Sequence, residues 1–115
     1  MFADPKLPAS ARNLIVEATG EVLFSVASAW EIAIKARQGR LDVPPDVAGF
    51  VTDQVRLNGF TVLPVRLHDA LAVHSLPDLH KDPFDRLLAA QARNENVPLL
   101  TRDPRLRAYP IETRW

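Results

Sequence analysis

The segment from Lys81 to Leu106 reads KDPFDRLLAAQARNENVPLLTRDPRL and predicts one helix followed by one buried strand. Asp82 is a favourable N-cap, and proline is well tolerated at the first helical position, so the helix should begin at Pro83. Apolar residues recur at helical spacing to about Asn94. Residues 97–101 (VPLLT) then have the length and composition of a short buried strand.

Two acidic residues of this segment predict a shared site. Asp85 falls in the first turn of the predicted helix, where the helix dipole favours negative charge, and Asp103 follows the predicted strand. Ligands gather at the carboxyl ends of strands in an open parallel sheet, so both acids can converge at one edge. Because hard cations such as Mg²⁺ and Mn²⁺ prefer carboxylate oxygens, this arrangement suggests a metal site.

The composition is that of one soluble globular domain. The chain has 115 residues, with 47% hydrophobic and 24% charged residues, which excludes both disorder and a membrane span. The absence of cysteine excludes a disulfide scaffold, and the first residues, MFADPKLPAS, do not read as a signal peptide, so we expect a cytoplasmic protein. The net charge of +0 gives no global attraction to nucleic acid. Contact with a polyanion would depend on local arginines, namely Arg102, Arg105, Arg107 and Arg114.

The rest of the chain alternates helical and strand patterns. We predict helices at Leu7–Ala18, Ala29–Gln38, 45–57 and Leu67–Leu76, and strands at Glu21–Ser28, Phe60–Val65 and, at the chain end, Pro110–Trp115. Ser28 is the predicted N-cap of the second helix, and Glu31 completes a capping box with it. This alternation predicts an α/β fold with mainly parallel strand pairing.

Three acids stand in distinctive strings: Glu31 in SVASAWEIAIK, Asp85 in KDPFDRLLAAQA and Asp103 in LLTRDPRL. Together with the turn at Gly39 to Leu41, these strings resemble the PIN domain, most closely the VapC-type toxin ribonucleases. The resemblance runs over nearly the whole chain. It implies a single PIN-like three-layer domain over residues 1–115 with a mainly parallel central sheet.

The resemblance also implies an activity, a cofactor and partners. The protein would be a metal-dependent endoribonuclease that cleaves RNA with Mg²⁺ or Mn²⁺, with Glu31, Asp85 and Asp103 as its catalytic and metal-binding acids and Asp82 as an accessory ligand candidate. Arg102, Arg105 and Thr101 are the RNA-binding candidates, although a solvated charged face explains the arginines equally well. The implied partners are a VapB-like antitoxin and a second copy of the chain in a homodimer.

The chain departs from the family pattern at its start. Members normally begin with a buried strand of the type LLLDTHxLLW, whose aspartate is the first metal ligand, and this sequence begins after it. We therefore expect an N-terminally truncated domain that lacks its first strand, and we assign no catalytic role to Asp4. Either the gene start lies further upstream or the chain is a real truncation.

Each acid also has a purely structural explanation. Glu31 can pair with Lys35 one turn later, the helix dipole favours Asp85, Asp82 is explained as an N-cap, and Asp103 before proline suits a turn. The alternative function is therefore a catalytically impaired PIN remnant that acts through an antitoxin or through self-association. A small interaction module without nuclease ancestry is a further alternative.

Overall fold

The computed structural model describes residues 14–17, 19–79, 81–101 and 105–114. Its strands are β1 (Leu14–Val16), β2 (Val22–Ser25), β3 (Thr61–Leu63), β4 (Leu99–Leu100) and β5 (Thr113–Arg114). Its helices are α1 (Val26–Arg37), α2 (Val47–Leu57), α3 (Leu67–Ala72) and α4 (Pro83–Glu95), with single 3₁₀ turns at Val73–Ser75 and Leu106–Ala108. No helix in these described stretches is both long enough and apolar enough to span a membrane.

The five strands form one sheet in the order β3-β2-β1-β4-β5. β2 pairs with β3 and β4 with β5 in parallel, whereas β1 runs antiparallel to both of its neighbours. Ile15 of β1 stands opposite Leu23 on one side and Leu99 on the other. β2 and β4 therefore run in the same direction, and their carboxyl ends lie at the same edge of the sheet.

Two core clusters cover the two faces of this sheet. Successive strand residues point to opposite faces, so Ile15, Leu23 and Leu99 enter one cluster while their chain neighbours enter the other. The first cluster packs against α4, and the second contains Ile32 of α1 and Val51 of α2. This arrangement confirms the predicted α/β fold with helices on both faces of a central sheet.

The main correction concerns the first predicted helix and the sheet direction. The helix expected at Leu7–Ala18 is wrong over Leu14–Val16, which form the central strand; residues 7–13 and 18 lie outside the described residues. Leu14 and Ile15 are 1% and 0% exposed, so burial between two strands outweighs the local helical pattern. The central position is thus filled by an antiparallel strand, and the sheet is mixed.

A second correction concerns the start of α1. The expected N-cap was Ser28, but pairing of β2 ends at Ser25, whose hydroxyl accepts a hydrogen bond from the Ala27 N–H. The helix therefore begins three residues earlier, at Val26. Glu31 then lies in the second turn, too far along the helix to form a capping box.

The start of α4 agrees with the prediction. Asp82 Oδ1 accepts hydrogen bonds from the backbone N–H groups of Phe84 and Asp85 at 2.9 and 3.3 Å, which makes Asp82 the N-cap. Arg86 then anchors the preceding segment, because its guanidinium donates to the carbonyl oxygens of Val73 and Pro77 at 3.0 and 2.9 Å. These contacts fix where the first turn of α4 lies.

Candidate functional site

Two helices that carry predicted site residues begin at the same edge of the sheet. α1 follows β2 directly, so it starts at the carboxyl end of that strand. α4 leads back into β4 through a three-residue connection, so its first turn lies near the carboxyl end of β4. Thr101, the residue after β4, is also at this edge and is 1% exposed. The topology thus places Glu31, Asp85 and Thr101 around one end of the sheet.

An aromatic contact joins α1 to the first turn of α4. The rings of Trp30 and Phe84 meet edge to face, with centroids 5.2 Å apart and an interplanar angle of 75°. Each ring belongs to the residue immediately before a predicted site acid, Glu31 or Asp85. The contact therefore holds the two acid-bearing turns beside each other.

Glu31 is buried, and a hydrogen bond reaches only one of its two carboxylate oxygens from the described residues. Its side chain is 2% exposed, Oε2 accepts a hydrogen bond from Lys35 Nζ, and Oε1 has no hydrogen-bond partner among the residues that the structure describes. The predicted pairing with Lys35 is therefore present, and the Lys35 side chain is only 21% exposed, so the pair does not lie free on the surface. A buried polar group without a partner costs about 1 to 3 kcal/mol, more when charged, so Oε1 is an acceptor that favours a bound donor or cation.

Asp85 and Asp82 have different surroundings within the same turn. Asp85 is buried at 8% exposure, whereas Asp82 is half-buried and engaged in capping the helix. The predicted capping role of Asp82 is confirmed. Its role as an accessory metal ligand stays a prediction.

The third predicted acid, Asp103, lies outside the described residues, as does Arg102. Whether Asp103 joins Glu31 and Asp85 is therefore still a prediction. Within the described part of the chain, no three acidic or histidine side chains are grouped so that they could hold a metal ion. Arg105 is exposed and begins the 3₁₀ turn at Leu106–Ala108.

A buried polar network connects α1, α3 and α4 and was not predicted from the sequence. The Ser25 hydroxyl donates to Gln91 Oε1, and Gln91 Nε2 donates to the Pro64 carbonyl at 3.1 Å and to Asp69 Oδ2 at 3.3 Å. Gln91 is 0% exposed and lies among the alanines of α4. The network therefore connects the N-cap of α1 with α4 and α3.

Asp69 ends this network as a buried carboxylate. It also accepts hydrogen bonds from Asn94 Nδ2 at 2.9 Å and from the Arg66 backbone N–H at 3.0 Å. Burial acts to raise the pKa of Asp69, but these hydrogen bonds, that from Gln91 and the nearby His68 together hold it below the ordinary 3.8. The available signal in the sequence was a polar residue, Gln91, on an otherwise apolar helix face.

Comparison with known proteins supports the resemblance inferred from the motifs. The family model described as PIN domain matches residues 1–112. Ribonuclease VapC16 of Mycobacterium tuberculosis (strain ATCC 25618 / H37Rv) is 40% identical over 65 residues, which cover 53% of this chain and 46% of that protein. The aligned part thus spans less than half of this relative, and no solved structure matches the chain. The family match, which covers nearly all of the sequence, shows that the chain belongs to the PIN domain family, with its likeness to the VapC-type toxins.

Proposed function

We propose that this protein is a VapC-like, metal-dependent endoribonuclease. One observation carries the proposal: a buried glutamate, Glu31, keeps one oxygen without a partner and lies beside the turn that carries Asp85. Family membership and the likeness to a ribonuclease support nuclease chemistry in general. The metal dependence and the RNA substrate are the parts that we propose.

The donor set fits a hard divalent cation. Mg²⁺ and Mn²⁺ bind through a few carboxylates, and Glu31 Oε1 is a buried carboxylate oxygen to which no described residue donates a hydrogen bond. Glu31, Asp85 and Asp103 would hold the ion, with Asp82 as an accessory candidate. When bound, such an ion lowers the pKa of a water molecule and stabilises charge at the phosphoryl group.

The remaining residues would position the substrate and the acids. Lys35 holds one oxygen of Glu31 and so leaves the other for the ion. Arg102 and Arg105 would contact RNA phosphates, because a guanidinium matches phosphate geometry with two parallel hydrogen bonds. Thr101, the third RNA-binding candidate, is buried at the end of β4, and we propose that it would help to orient a water molecule at the site.

The faces of α1 and α2 support the proposed association with other chains. An apolar groove between these helices is lined by Ala29, Ala33, Val47, Ala48, Val51 and Thr52. Trp30 and Leu57, on the same two helices, are 59% and 65% exposed. Such exposed apolar surface suits a partner, and we propose a VapB-like antitoxin and a second copy of the chain.

RNA cleavage by purified protein in Mn²⁺ tests the function. We expect cleavage that stops with a chelator and falls at least about 100-fold in Glu31→Gln and Asp85→Asn, since carboxylate ligands are lost. Asp53→Asn is the matched control, because Asp53 is an exposed acid on α2, and it should cleave like the wild type. Cleavage that persists in chelator would refute the metal-dependent mechanism. A protein that binds an antitoxin but never cleaves RNA would instead be the impaired remnant.

A further inference from the structure

α1 carries a second buried oxygen without a partner, one turn before Glu31. The Ser28 hydroxyl is on a residue that is 1% exposed, and it makes no hydrogen bond within the described part of the chain. The N-cap of α1, which the sequence predicted to be Ser28, is Ser25. Ser28 is therefore the third residue of the helix and has no capping function. Neither the packing of the core nor the start of the helix explains a hydroxyl at this position.

A buried serine without a partner is a net cost to the fold. Serine inside a helix usually donates to a carbonyl three or four residues earlier, but Ser28 does not do so. Alanine at position 28 would leave no buried polar atom without a hydrogen-bond partner, and alanine is the residue on either side, at Ala27 and Ala29. The hydroxyl therefore favours a polar ligand that is not part of the protein.

The spacing places the Ser28 and Glu31 side chains on one face of α1. Residues three apart on a helix are neighbours on one face, with Cβ atoms roughly 5 to 6 Å apart. Two hydrogen bonds of about 2.8 Å in series cover about the same distance. One water molecule can therefore donate to Glu31 Oε1 and accept from the Ser28 hydroxyl, which satisfies both unpartnered atoms.

We propose that Ser28 and Glu31 share one bound water molecule, and that Ser28 is thereby a positioning residue for the Glu31 carboxylate. Lys35 holds one oxygen of this carboxylate, and the water held by Ser28 binds one acceptor site of the other oxygen, whose second acceptor site stays open to the ion. The carboxylate is then oriented before a divalent cation arrives. The inference rests on the proposed function, because it assumes that Glu31 is a metal ligand.

Ser28→Ala separates this role from a structural one when the melting temperature and the Mn²⁺ affinity are both measured. Because the shared water is bound before the cation arrives, removing the hydroxyl should lower the melting temperature of the metal-free protein by about 4 °C, the effect of one lost hydrogen bond in a domain of this size. Mn²⁺ affinity, measured by isothermal titration calorimetry, should fall about tenfold, because the carboxylate is no longer oriented. Ser28→Thr keeps the hydroxyl and should restore most of the affinity, whereas Ser28→Cys should behave like Ser28→Ala.

Ser25→Ala is the matched comparison for stability. Ser25 is equally buried, but its hydroxyl both caps α1 and donates to Gln91, so its loss should lower the melting temperature. The proposal is overturned if Ser28→Ala binds Mn²⁺ like the wild type, or if Ser28→Thr, which keeps the hydroxyl, binds it as weakly as Ser28→Ala does. If the wild type itself binds no Mn²⁺, or Glu31→Gln binds it equally well, the proposed function has failed instead.

Discussion

Replacing Gln91 by leucine tests whether the buried polar network holds the helices of the site in place. Leucine is of similar size, but it removes the acceptor for Ser25 and the donor to Pro64 and Asp69. Two neutral hydrogen bonds at about 1 kcal/mol each and one to a charged group at about 2 kcal/mol give a loss of about 4 kcal/mol. Added apolar burial offsets about 1 kcal/mol, so the net destabilisation should be about 3 kcal/mol.

Thermal unfolding followed by circular dichroism measures this loss. At roughly 4 °C per kcal/mol for a domain of this size, the melting temperature of Gln91→Leu should fall by about 12 °C. Gln38→Leu is the matched control, because Gln38 is exposed at the end of α1, and it should stay within about 2 °C of the wild type. A melting temperature for Gln91→Leu within the same range would mean that the network does not stabilise the fold.

Three further changes test the surroundings of the site. Asp69→Asn should destabilise the protein at neutral pH. Because the folded-state pKa of Asp69 is lowered, its ionised carboxylate stabilises the wild type above about pH 4, and this stabilisation is lost as the pH falls further. The difference in stability between Asp69→Asn and the wild type should therefore shrink when acid unfolding is followed below that pH. Arg86→Lys should lose the forked contacts to Val73 and Pro77, and faster hydrogen exchange across residues 73–79 would show it, whereas unchanged exchange would argue against the anchoring role. Asn96 ends α4 in the left-handed backbone conformation, at φ 54°. Asn96→Val should therefore lower the free energy of unfolding, measured by chemical denaturation, by about 1 to 2 kcal/mol, whereas Asn96→Gly should change it very little. Equal effects of the two variants would contradict an explanation by backbone conformation.

Local signals explain what was predictable from the sequence. The N-cap at Asp82, proline at the next position and the apolar spacing located α4 within one residue at its end. These signals act between near neighbours in the chain, so no knowledge of the tertiary fold is needed. The family motifs then gave Glu31 and Asp85 as candidate site acids, and the rings of the preceding residues, Trp30 and Phe84, are in contact in the structure.

The features that were missed depend on distant parts of the chain. Leu14 to Val16 form a strand because β2 and β4 flank them, which no local pattern shows. The hydrogen bond from Ser25 to Gln91 joins residues 66 positions apart, and the sequence alone led to Ser28 as the N-cap of α1. That one oxygen of Glu31 is buried and unpartnered is likewise a result of packing.

Mn²⁺ binding to Glu31→Gln, Asp85→Asn and the double variant tests most directly whether the two acids serve one ion. If they share an ion, each single change should lower the Mn²⁺ affinity at least about tenfold. The loss of binding free energy in the double variant should then be much smaller than the sum of the losses in the two single variants. Asp53→Asn should bind like the wild type. Wild-type affinity in either single variant, or strictly additive losses in the double variant, would contradict a shared metal site at this edge of the sheet.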